Sequence, residues 1–166
     1  MQNQSHARKN ISMSQINIIN LATDIVKKAC ELKNKFTDAI DAPVNYACVF
    51  SQSDDEYDEL KKLTGKIGKV IEQTPSGPLY HVNPIETVSG QLKLLKIRHP
   101  DVAKPERGDA DFTINNYHDF KDKYLQQERF KLIPRVNFEM IELMDSDFNI
   151  RVYFSYPPLD KQLGIN

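Results

Sequence analysis

One feature constrains this chain more than any other: the same order of elements occurs twice. Hydrophobic periodicity and turn residues read as strand, helix, strand, strand, strand, and then the series begins again. The opening strands of the two runs, starting near Val44 and Asp109, lie about 65 residues apart. The repeat is in the order of elements and not in residue identity. It predicts an α+β fold of two successive βαβββ units, about 43–100 and 108–156, forming a curved, mostly antiparallel sheet. An unrelated α+β sandwich with a coincidental order is the alternative.

The individual signals are local. Residues 1–12 read as a disordered tail and 13–42 as an N-terminal helical extension. In that extension Ile18, Ala22, Ile25, Ala29, Leu32 and Phe36 recur at spacings of three and four, one apolar stripe on a helix. Asp41-Ala42-Pro43 is expected to end it, because the residue before proline avoids the α region. Val44 to Phe50 is rich in β-branched and aromatic residues and reads as a strand. Ser53-Asp54-Asp55-Glu56 has the hydroxyl and carboxylate spacing of a capping box, followed by Tyr57, Leu60, Leu63 and Ile67 on one helical face. Strand signals follow at Lys69–Gln73, Leu79–Val82 and Gln91–Arg98. A Pro-rich, charged connector covers Pro100 to Gly108. The second run is Asp109–Ile114, a helix capped by Asn116 and carrying Tyr117, Phe120 and Tyr124, then Phe130–Pro134, Phe138–Met144 and Phe148–Ser155. The paired domain is expected over 43–158, with a C-terminal tail at 159–166.

A chain of 166 residues with 40% hydrophobic and 27% charged residues can bury one ordinary core. Its net charge of −1 supplies no global attraction to nucleic acid or anionic lipid. The basic run Lys93 to His99 lacks the aromatic residues that single-strand binding needs. No apolar run is long enough to span a bilayer, so a cytoplasmic location without membrane or nucleic-acid partners is the expectation. The two cysteines, Cys30 and Cys48, read as small buried apolar residues, and no nucleotide-binding fingerprint is present.

Alternation along strands selects a polar face. Ala110, Phe112 and Ile114 share one face, as do Ile150, Val152 and Phe154. These must lie under the helices to leave water. The opposite faces then line the hollow of the sheet with Tyr46, Cys48, Lys96, Arg98, Asp109, Asp111, Thr113, Arg151 and Tyr153. Leu92 and Leu94 fall on the same face. Three cations against two carboxylates point to a small anionic ligand. The expected ligand-binding set is Tyr46, Lys96, Arg98, Asp109, Asp111, Arg151 and Tyr153. No catalytic set is identifiable.

Val44-Asn45-Tyr46-Ala47-Cys48-Val49, Gly77-Pro78-Leu79-Tyr80, Pro84-Ile85-Glu86-Thr87-Val88 and Pro105-Glu106-Arg107-Gly108-Asp109-Ala110-Asp111-Phe112 resemble the YecM-like branch of the vicinal-oxygen-chelate superfamily, which includes glyoxalase, bleomycin-resistance and dioxygenase relatives. The resemblance implies paired βαβββ units and a homodimer. It also implies a metal held by a His on the first strand of a unit, a carboxylate on its fourth, and a His opening the next unit. Those places fall here on Tyr46, Lys96 and Asp111. None is of the expected type, so the usual metal site does not carry over and no cofactor is expected. We expect a Lys96–Asp111 ion pair to stand where the metal would be. A divalent-metal lyase, isomerase or dioxygenase with displaced ligands, drawn from His81 or His99 with Asp111 and Glu142, is the first alternative. A non-catalytic interaction module is the second.

Overall fold

A computed structural model describes the backbone of residues 2–165 and the side chains of residues 18–165. It contains α1 (Gln2–Phe36), β1 (Val44–Phe50), α2 (Asp54–Thr64), β2 (Gly68–Thr74), β3 (Gly77–Thr87) and β4 (Gly90–Arg98), then β5 (Gly108–Phe112), α3 (Tyr117–Tyr124), β6 (Phe130–Pro134), β7 (Glu139–Leu143), β8 (Arg151–Tyr156) and α4 (Leu159–Gln162). The backbone of α1 runs back to Gln2, through most of the stretch expected as a tail over residues 1–12; the side chains before Ile18 lie outside the described residues.

All eight strands form one sheet in the order β2-β3-β4-β1-β5-β8-β7-β6. The order resolves into the two expected units. In each, the first strand runs parallel to the fourth (β1 with β4, β5 with β8) and the remaining strands add antiparallel outward. The units meet at the antiparallel β1–β5 ladder, where Cys48 faces Asp109 and Tyr46 faces Asp111. The fold is therefore α+β, with an N-terminal helix laid across the sheet. Gly108 permits the close approach at this seam: a Cβ there would lie 2.3 Å from the Cys48 carbonyl oxygen.

The helices cover one face. Ile18, Ala22, Ile25, Ala29 and Leu32 of α1 are all buried, as the apolar stripe requires, against Ala47, Val49, Ala110, Phe112 and Val152. In the second unit Phe120 packs on Phe154 with ring centroids 4.6 Å apart, and Tyr124 stacks on Phe130 at 5.4 Å. Ser53 caps α2 by accepting the Glu56 N–H at 3.1 Å, while the Glu56 carboxylate accepts the Gln52 N–H at 3.0 Å.

Helix α1 stops at Phe36, before the expected Asp41-Ala42-Pro43. The cause is Lys33. Its fully buried ammonium donates to the carbonyls of Ala39 at 2.5 Å and Ile40 at 3.1 Å and sits 5.2 Å from the centroid of the Phe112 ring. The chain is thereby folded back over the end of the helix, and Lys33 supplies donors to two carbonyls of the connecting turn. Leu92, expected on the hollow face, belongs instead to the helix-side core, and the β3–β4 ladder shifts register between His81 and Ile85. Among the described residues no helix is long and apolar enough to cross a membrane.

Candidate functional site

With one face under helices, alternation turns the other face inward. Residues from the edge strands β2 and β6, Thr74 and Lys131, line the same cavity, so the sheet curls around a hollow of about 760 Å³. All seven residues of the expected ligand-binding set line it: Tyr46, Lys96, Arg98, Asp109, Asp111, Arg151 and Tyr153.

The ladders arrange them in two rows. One runs Lys96, Cys48, Asp109, Arg151 across β4, β1, β5 and β8. The next runs Tyr46, Asp111, Tyr153, Glu142, Lys131 from β1 out to β6. Cys48 is buried in the first row and Thr113 lies past the end of β5, its N–H bonded to the Pro43 carbonyl. Neither lines the cavity, contrary to expectation. Glu142 and Glu139 face opposite sides, as their spacing requires. Glu142 lines the hollow, whereas Glu139 accepts from Tyr117 at 2.7 Å and pairs with Lys121 at 2.9 Å.

The expected Lys96–Asp111 ion pair is not formed. Lys96 aligns with Cys48 and hence with Asp109, two residues from Asp111, because β1 pairs with β4 in that register. Asp111 is held by Ser155, whose N–H donates at 3.2 Å and whose hydroxyl donates to the other carboxyl oxygen.

The electrostatics are unusual for a sheet face. Burial raises the Asp109 carboxyl to about 7, against the opposing pull of Lys104, Lys96, Arg98 and Arg151. Burial likewise raises Asp111 to about 7, with the Ser155 hydrogen bonds opposing and the Asp109 charge adding. The Tyr46 hydroxyl is held well above its ordinary range, first by burial and then by Cys48 and Asp109. Arg98 and Arg151 already hold acids: Asp101 at 3.2 Å, and Glu106 at 3.0 Å with Glu142 at 3.5 Å. Lys96 and Lys104 have no carboxylate within 4.0 Å among the described residues, and desolvation pushes both ammonium groups below their ordinary range. The buried Asp109 Oδ1 and Arg98 Nε have no hydrogen-bond partner.

The lining also holds residues outside the expected set, among them Lys104, Lys131, Arg135 and Met140. Lys131 was readable from the alternation that buries Phe130. Lys104 comes from the connector, where no periodicity points. The donor set does not suit a metal. His99, Asp111 and Glu142 line the cavity but His81 lines a separate groove with Gly65 to Lys69. Among the described residues no group of three His, Cys, Asp or Glu side chains could hold an ion.

The fold and this lining define a paired βαβββ protein with a cation-rich hollow. A solved structure described as "Structural Genomics, Protein EC4020" is similar in fold, with a TM-score of 0.63 over 82% of this chain and 85% of that chain, at 9% identity. No protein-family model matches the chain, and no curated protein matches it.

Proposed function

We propose that this chain is a vicinal-oxygen-chelate-like protein that binds a small anionic ligand in the sheet hollow without the metal usual at that place. The observation that carries the reading is the pair Lys96 and Lys104. Two half-buried ammonium groups border a cavity without a carboxylate partner, beside an Arg98 Nε that lacks an acceptor. Desolvating a cation is costly unless an opposite charge compensates it. A carboxylate or phosphate group of the ligand supplies that charge, and it gives Arg98 its missing acceptor.

Asp109 fits the same reading. A carboxyl raised to about 7 is substantially protonated at neutral pH, so it donates a hydrogen bond to the anion instead of repelling it. The test is a thermal-shift titration with small carboxylates and phosphate monoesters. Ligand at 100 times its Kd stabilises the native state by about 2.7 kcal/mol. Lys96→Met and Lys104→Met should each lose most of the shift, and Lys69→Met, outside the hollow, should keep it. Equal shifts in all three variants would overturn the reading.

A further inference from the structure

The hollow continues into a second lobe of different character. It has a volume of about 660 Å³ and shares Tyr46, Thr74, Lys96, Asp111, Arg135 and Met140 with the first. Beyond those shared residues its walls are mainly apolar, with Leu79 from β3, Phe138 beside β7, and Leu159 and Leu163 from the C-terminal segment set among Glu72, Asn137, Ser155 and Gln162. That segment is fastened on the open side of the sheet, where the Asp160 N–H donates to the Asn45 side chain at 3.3 Å. Leu79 is only 3% exposed and lies opposite Lys96 in the β3–β4 ladder, so apolar wall and ammonium group are immediate neighbours.

Resting on the anion-binding reading above, we propose that the ligand is an amphipathic anion: its carboxylate or phosphate head lies between Lys96, Lys104 and Arg98, and its apolar tail lies against Leu79, Phe138, Met140, Leu159 and Leu163. Size supports this. A bare inorganic anion fills a few water volumes of ~30 Å³ each and leaves most of either lobe unfilled. Each lobe alone is in the range of about 300–1,000 Å³ that suits an organic ligand. Lys96 stands at the junction and fixes which end of the ligand goes where.

Calorimetric titration of the full chain tests it with two homologous series, acetate to octanoate and inorganic phosphate to hexyl phosphate. Each added methylene should tighten binding roughly fourfold until the lobe is full. Leu163→Gln and Phe138→Ser should flatten that dependence while leaving acetate or phosphate binding unchanged. Phe138→Ser serves as the second variant should Leu163→Gln unseat the C-terminal segment, and circular dichroism checks that each folds. Short and long members binding equally would overturn the tail and leave the anion site standing. A length dependence untouched by both variants would also overturn it, because the tail would then lie elsewhere. A lobe variant that changes the sedimentation mass without changing the length dependence would mean that a second copy covers the lobe, and would overturn the proposal. No heat from any member, with none of the thermal shift described above, would remove the anion reading and this inference together. Comparing the two series at equal tail length separates a carboxylate head from a phosphate head.

Discussion

Ser155 supplies both hydrogen bonds that hold the buried Asp111 carboxyl, its N–H to one oxygen and its hydroxyl to the other. The pair lies on the neighbouring parallel strands β5 and β8, so it is part of the joint that carries the second row of the hollow. Ser155→Ala leaves a buried acceptor with one donor fewer. Urea unfolding should show a loss of about 1–3 kcal/mol. Ser155→Thr, which keeps the hydroxyl, should recover part of it; equal losses in both variants would assign the effect to packing.

Asp109 and Asp111 set the sign of a pH dependence. Their carboxyls stand at about 7 in the fold and at about 3.9 in the unfolded chain. Between those values the native state binds more protons than the unfolded state, so stability falls as pH rises. Their contribution is fully present below about pH 4 and is lost through about pH 7. Facing them are Tyr46, Cys48, Lys96, Arg98, Lys104, Arg151 and Tyr153, and the cations limit the shift. The depressed Glu56 and Glu139 act the other way, withdrawing stability as pH falls below the carboxylate range. Chemical unfolding between pH 4.5 and 8 should therefore show a decline on the order of a few kcal/mol. Asp109→Asn should flatten it, and a slope unchanged by that substitution would locate the titrating group elsewhere.

Lys33 holds the turn between α1 and β1. Lys33→Met keeps the aliphatic stem but leaves the Ala39 and Ile40 carbonyls without their donor. The relief of burying an ammonium offsets part of that loss, so the net destabilisation should be about 1–3 kcal/mol. Hydrogen exchange should show the loosening confined to residues 37–43, and a uniform loss of protection would contradict a local role.

The β1–β5 seam should tolerate no side chain at residue 108. Gly108→Ala brings a Cβ against the backbone oxygen of Cys48 and the end of Ile25, at 2.3 and 2.9 Å. Relief requires moving a strand, at a cost of about 1–3 kcal/mol. Cys48 reports on the same place. It is buried and its thiol is pushed far above the ordinary range by desolvation, whereas Cys30 is half-buried. In the native protein alkylation should therefore label Cys30 first. Gly108→Ala should expose Cys48, and an unreactive Cys48 in that variant would mean that the seam had adjusted without opening.

Much of the frame was legible because it is written in short-range periodicity. Val44–Phe50 and Phe130–Pro134 are short runs rich in β-branched, aromatic and other apolar residues, and Tyr117, Phe120 and Tyr124 have helical spacing, so these elements follow from local sequence. The hollow face was legible for the same reason, since alternation alone sorts Asp109 and Asp111 from Ala110 and Phe112. Pairing across strands was not. The offset between Lys96 and Asp111 depends on the relative slide of β4 and β5 on β1, which no single strand encodes. The end of α1 was also hidden, because it is set by the contact of Lys33 with carbonyls six and seven residues on. Lys104 enters the hollow from a connector whose path is fixed by its surroundings, including the Ala103 carbonyl that accepts from Arg151 at 3.1 Å.

The two units share one topology about the β1–β5 ladder, yet they line the hollow unequally. The first contributes Tyr46, Lys96, Arg98 and His99 and no carboxylate, whereas the second contributes all three carboxylates, Asp109, Asp111 and Glu142, along with Tyr153, Lys131, Arg135 and Arg151. A bare frame of this kind would offer a guest two equivalent poses, related by exchanging the halves. The unequal lining abolishes that degeneracy, so the pocket has a front and a back although the scaffold beneath it has neither.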